Sequence, residues 1–204
     1  RNYPETIRPA LQIVGTAKGI SKVAGLFVIM TSNGPMFFAD TTININPNAD
    51  ELADIAELTA DAVLRMGIKP ILALLSYSNF GSTNDAHSKK VKQATDILHR
   101  RRPDLIVDGE VQANFAVNKD SLSEKFPFSR LKHNQVNVVI FPNLESGNIS
   151  YKLLQELAGF ETIGPILIGL KKTIHILQLG ASVKEIINMS TLAVADAHTK
   201  NVKK

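Results

Sequence analysis

The chain has 204 residues, 44% of them hydrophobic and 21% charged, with no cysteine and a formal net charge of +4. A chain of this make-up is globular and long enough to bury a sizeable core in one large or two small domains. Disulfides and thiolate metal sites are excluded, no apolar run reaches the roughly 18 residues of a membrane span, and the dispersed lysines and arginines form no focused patch for nucleic acid. The lack of cysteine suits a reducing cytoplasm, and a chain that starts at Arg1 in mid-pattern reads as a piece of something longer.

Residues 1–19 hold a short polar stretch with Pro4 and Pro9, an apolar run from Ala10 to Val14, and Arg8 alone at the front of that run. Val23 to Met30 and Met36 to Ala39 are β-rich and flank Thr31-Ser32-Asn33-Gly34-Pro35, and Asn-Gly between two such runs predicts an antiparallel hairpin. Asp40-Thr41-Thr42 ends the second strand. A helix is expected from the Asn46-Pro47-Asn48-Ala49 stretch to about Met66, stopped by Gly67.

Pro70 to Ser82 is the stretch around which the chain is organised. Ile71 to Leu75 is a continuous apolar run, as expected of a strand buried on both faces of a parallel sheet. Ser76, Ser78, Gly81 and Ser82 follow at once, at the carboxyl end where open α/β sheets place ligands. They read either as an anion or nucleotide site or as an ordinary strand-to-helix turn. A helix follows from about Asp85 to Arg101, its closing arginines favoured by the negative end of the helix dipole.

Leu105 to Val107 is a short strand ending at Asp108-Gly109-Glu110, residues 118–135 read as a loop with a single helical turn, and Val136 to Phe141 is another apolar strand. A helix is expected from about Gly147 to Leu157, then strands at Ile166 to Leu170 and Ile174 to Leu177. Ser182 caps a last helix to about His198. Strand, turn and helix alternate as in α/β folds with a mostly parallel sheet. Three strand ends, at Asp40, Ser76 and Asp108, are placed to converge on one cleft.

The five histidines lack the spacing of a zinc site, so no metal is expected, and His175 in its apolar stretch reads as a core residue. Neither Gly-x-Gly-x-x-Gly nor Gly-x-x-x-x-Gly-Lys-Ser/Thr occurs. Residue types and spacing alone reach a cleft-bearing α/β protein.

Thr6-Ile7-Arg8-Pro9-Ala10-Leu11-Gln12-Ile13, Phe37-Phe38-Ala39-Asp40, Leu75-Ser76-Tyr77-Ser78 with Gly81-Ser82, Arg102-Pro103-Asp104-Leu105 with Asp108-Gly109, and Phe141-Pro142-Asn143-Leu144 with Gly147-Asn148-Ile149 together resemble the phosphate acetyl/butyryltransferase family. The resemblance runs through essentially the whole chain. It implies two α/β domains of isocitrate dehydrogenase-like architecture with an active site between them. Residues 1–22 would be the remnant of a truncated first domain, 23–163 the second, and 164–204 a segment returning to the first. It implies CoA or acetyl-CoA as ligand and no further cofactor. In the family's chemistry a carboxylate helps deprotonate the CoA thiol, the thiolate attacks an acyl phosphate, and arginines hold the phosphate. Arg8 matches one of these arginines, and Ser76, Ser78, Gly81, Ser82 and Asp108 would supply polar contacts to CoA or phosphate.

The family's active members carry Leu-Ser-Arg-Gly and, five residues after that glycine, Asp. This chain has Leu177-Gln178-Leu179-Gly180 and then Glu185. Leucine in place of arginine removes a bidentate phosphate partner, and glutamate displaces the carboxylate by one methylene, where about 1 Å of misplacement can cost roughly a hundredfold in rate. The substituted pattern, with His175-Ile176-Leu177-Gln178-Leu179-Gly180, resembles the transferase-like C-terminal domain fused to bacterial NADP-dependent malic enzymes. That resemblance implies a regulatory acetyl-CoA domain, a fused malic enzyme partner and a homo-oligomer. The alternative is an active transferase in which Glu185 is the base and a cation such as Lys171 or Lys172 replaces the arginine. Strand-end aspartates also keep open a metal-dependent dehydrogenase of the isocitrate type, without a nucleotide fingerprint to support it.

Overall fold

A computed structural model describes residues 3–177 and 180–202 of the chain. Thirteen elements follow in order: α1 (Tyr3–Val14), β1 (Ala24–Thr31), β2 (Gly34–Ala39), α2 (Ala49–Arg65), β3 (Ile71–Leu75), α3 (Ala86–Arg101), β4 (Ile106–Val111), α4 (Ala113–Ala116), α5 (Lys119–Lys125), β5 (Val138–Ile140), α6 (Leu144–Ala158), β6 (Glu161–Ile168) and α7 (Val183–Val202). The strands form one sheet in the order β4-β3-β5-β2-β1-β6. β2, β5, β3 and β4 run parallel, and β1 is antiparallel to both its neighbours.

The β1–β2 hairpin forms with Thr31 opposite Gly34, where the Asn-Gly signal places the turn. β3 is buried along its whole length because both faces of the sheet are covered. Leu72 and Leu74 join Leu52, Ile55, Val63 and Leu98 of α2 and α3 on one face. Ala73 and Leu75 join Phe27, Val139, Phe141 and Tyr151 on the other. The period-2 alternation of strand side chains thus assigns one apolar run to two cores.

α2 starts on a capping box in which Asn48 Oδ1 accepts the Glu51 N–H and the Glu51 carboxylate accepts the Asn48 N–H. α3 starts on a second, between Asp85 and Ser88. The closing arginines of α3 have partners beyond the helix dipole. Arg101 pairs with Asp50 and Asp54 of α2 at 2.9 Å, and Arg102 with Asp61 and Asp104. These partly exposed pairs are worth little individually, but they tie α2 to α3.

Several expectations are adjusted. The strand expected to stop at Val107 runs on through Asp108, Gly109 and Glu110 to Val111. Gly109 makes this possible, since a Cβ there would lie 2.7 Å from the backbone oxygen of Leu74. Residues 118–135 carry the two-turn helix α5, capped by Asn118. β6 covers Glu161–Ile168, beginning five residues before the expected Ile166, and pairs with β1 through Met30 and Ala24. Residues 174–177 form no strand; His175 makes a single bridge to Ile166, and its Nδ1 accepts the Leu167 N–H.

Among the described residues no helix is long and apolar enough to cross a membrane, and no group of three or more His, Cys, Asp or Glu is placed to hold a metal.

Candidate functional site

The carboxyl ends of β2, β3, β4 and β5 lie along one edge of the sheet. At the end of β2, Asp40 is buried and its Oδ1 accepts the N–H groups of Gly25, Thr42 and Ile43 at 2.8–3.1 Å, while Oδ2 accepts from Asn44. Its carboxylate is consumed in shaping the loop after β2. At β4, Asp108 Oδ2 accepts from Ser129 Oγ at 2.8 Å and from the Arg130 N–H at 2.9 Å, and Oδ1 accepts from Gly109. Asp108 therefore anchors the segment after α5.

The serine-rich turn after β3 is organised by a residue that sequence reasoning missed. Glu110 is 1% exposed. Its Oε1 accepts the Gly81 N–H at 2.7 Å and the Ser78 hydroxyl at 2.9 Å. Ser78 Oγ also accepts the Thr83 N–H and lies 3.2 Å from Ser82 Oγ, which accepts the Asn79 N–H. Ser76 Oγ accepts the Ser78 N–H. The turn has the form of an anion cradle, with the chain's own carboxylate in it. Glu110 was legible only as part of Asp108-Gly109-Glu110; its role depends on β4 running four residues further than the apolar pattern indicates.

Glu185 lies elsewhere. It lines a cavity of about 290 Å³ between α6, the first half of β6 and the start of α7, with Lys152, Gln155, Thr162, Leu177 and Met189. One wall is a stacked pair, Phe27 on β1 and Tyr151 on α6, with ring centroids 4.1 Å apart. Glu185 is the third helical residue of α7 and closes a capping box: its Oε2 accepts the Ser182 N–H at 2.7 Å, and its own N–H donates to Ser182 Oγ at 3.2 Å. The Ser182 backbone N–H, and secondarily the Ser182 side chain, hold the Glu185 carboxyl below its ordinary range. Next to it, Lys184 and Asn188 both reach Glu161 at the start of β6.

The structure does not bring the two regions together. β3 and β6 are separated by four strand spacings, about 19 Å. The turn lies at the carboxyl end of β3, whereas Glu185 lies near Glu161 and Thr162, level with the amino end of β2. Lys171 and Lys172 follow the far end of β6, and among the described residues Lys152 is the cation that lines the cavity with Glu185. The side chain of Arg8, and Gln178 and Leu179 entirely, lie outside the described residues.

The family model for phosphate acetyl/butaryl transferase matches residues 1–194. The chain belongs to this family. Among curated relatives it is 39% identical over 196 residues to an NADP-dependent malic enzyme of Haemophilus influenzae, covering 96% of this chain and 26% of that one. It is 40% identical over 200 residues to a phosphate acetyltransferase of Clostridium acetobutylicum, covering 95% of this chain and 60% of the relative. A crystal structure of a phosphotransacetylase from Streptococcus pyogenes superposes with a TM-score of 0.90 at 40% identity, over 97% of this chain and 60% of that chain. The phosphotransacetylase fold is thereby established for this chain, which spans about a quarter of the malic enzymes and about 60% of these transferases.

Proposed function

We propose that this transferase-family chain is the phosphotransacetylase-like domain of an NADP-dependent, oxaloacetate-decarboxylating malic enzyme of the cytoplasm, and that it binds acetyl-CoA as a regulatory ligand without transferring its acetyl group. The observation that carries this reading is the state of Glu185. A base that deprotonates a thiol needs an available carboxylate whose affinity for protons is not depressed. Glu185 already accepts the Ser182 N–H, and that bond holds its carboxyl below the ordinary range. The replacement of the family's Ser and Arg by Gln178 and Leu179 points the same way, because leucine offers nothing to a phosphate. The apolar floor of the cavity, with Leu177 and Met189, suits the thioester end of the ligand, and Lys152 at its margin suits a negative group.

The second reading is an active phosphate acetyltransferase, converting acetyl phosphate and CoA to acetyl-CoA and phosphate. The shared cavity of Lys152 and Glu185 favours it, since a cation and a carboxylate are the minimum for that chemistry. Restoring the family pattern with Gln178→Ser, Leu179→Arg and Glu185→Asp together separates the two. Under the first reading the native protein is silent and the triple variant gains CoA-dependent consumption of acetyl phosphate. Turnover by the native protein that Lys152→Ala or Glu185→Gln abolishes establishes the second reading instead.

A further inference from the structure

The amine of Lys90 sits among neutral oxygens. Lys90 lies in the second turn of α3 and is half-buried. Its Nζ donates to Oδ1 of Asn46 at 2.9 Å and to the backbone carbonyl of Pro142 at 2.8 Å. Lys22 and Lys184 pair with Glu51 and Glu161; Lys90 makes no such ion pair with a described carboxylate. A neutral amine has two N–H groups and one lone pair, so two carbonyl acceptors satisfy it and leave the lone pair unspent. The charged form has no described carboxylate in ion-pair contact, the compensation that Lys22 and Lys184 have. Burial accordingly pushes the Lys90 amine below its ordinary value.

We propose that Lys90 is an acyl-acceptor site for activated acetyl groups. The nitrogen lone pair attacks the carbonyl carbon of an acyl phosphate or acyl thioester, the C–O or C–S bond breaks, phosphate or thiolate leaves with the bonding pair, and the proton released from nitrogen passes to solvent. The product is a neutral amide with one N–H, which can serve only one of the two acceptors. Acylation therefore loosens the tie between α3 and the loops that precede α2 and α6. The reaction needs no working transferase, only an acetyl donor.

The test is site-resolved acetyl incorporation into the full-length protein, with isotope-labelled acetyl phosphate in one arm and acetyl-CoA in the other. Peptide mass spectrometry gives initial rates at Lys90 and at the exposed neighbours Lys89 and Lys92. Lys90 is expected to gain acetyl at least about threefold faster than either neighbour in one or both arms, and the arm identifies the donor. The preference must vanish in urea, where the fold no longer shields the amine. Rates at Lys90 equal to or below those of its neighbours in both arms, or a preference that survives unfolding, would overturn the proposal.

Discussion

The Gly81 amide meets the Glu110 carboxylate at 2.7 Å, across 29 positions of sequence. That contact, with the Ser78 hydroxyl on the same oxygen, gives the serine-rich turn its shape from within. The second carboxylate oxygen of Glu110 is buried with no hydrogen-bond partner, so Oε1 carries the network. Glu110→Ala strands the Gly81 N–H and the Ser78 hydroxyl and is expected to cost about 2 kcal/mol. Glu110→Gln keeps the carbonyl acceptor and should cost less. Urea denaturation of both variants, with hydrogen exchange at the Gly81 amide, checks this; equal losses would mean that the carboxylate does not organise the turn.

Gly147 is the second place where the carboxyl edge is fixed by a close approach. A Cβ on Gly147 would stand 2.6 Å from the backbone oxygen of Asp40 and 3.3 Å from the Phe141 ring. Backbone at that distance cannot swing aside, so Gly147→Ala must push α6 off the end of β2, an overpacking change expected to cost about 1–3 kcal/mol. The displacement also carries Tyr151 and Lys152 away from the cavity. Differential scanning calorimetry gives the stability, and loss of acetyl-CoA affinity beyond what unfolding explains gives the cavity effect. A variant with native stability would show that α6 does not sit as close as described.

Acid should weaken the fold through its capping and paired carboxylates. Glu51, held low chiefly by Lys22, and Glu185, held low by Ser182, have folded values below the ordinary 4.5. The contribution of such a group is present in full above its unfolded value and is lost as pH falls through the folded one. Stability should therefore decline as pH drops below 4.5. Glu57 acts in the opposite sense: burial raises its carboxyl, so its contribution belongs to low pH and is lost as pH rises from 4.5 through its raised value. Glu51→Gln should flatten the acid limb of a stability profile, and Glu57→Gln should remove a loss on the neutral side. An unchanged acid limb in Glu51→Gln would contradict this account.

The parts of the fold that local pattern dictates were legible in the sequence. Asn33-Gly34 placed the hairpin, Ile71 to Leu75 announced a doubly covered strand, and Ser182 announced the start of α7. The extension of β4 to Val111 was not legible, because Asp108, Gly109 and Glu110 look like a strand end and pair with β3 only through tertiary contact. The roles of Glu110 and Lys90 follow from that same tertiary level: each partner lies 29 or more residues away along the chain. The family likeness supplied Glu185 and the altered Gln178 and Leu179; no periodicity would have singled them out. Nor does sequence reveal that Glu185 and the Ser76–Ser82 turn occupy opposite ends of the sheet, since strand order is set by how the elements pack.

The most direct test of the regulatory reading pairs two assays on the full-length natural polypeptide. Calorimetric titration measures acetyl-CoA binding, and a coupled assay measures CoA-dependent conversion of acetyl phosphate beside an active transferase. The account predicts saturable acetyl-CoA binding that Lys152→Ala weakens by roughly 1 kcal/mol or more, with no turnover above background. Turnover approaching the control, or a folded protein that binds no acetyl-CoA, would contradict it.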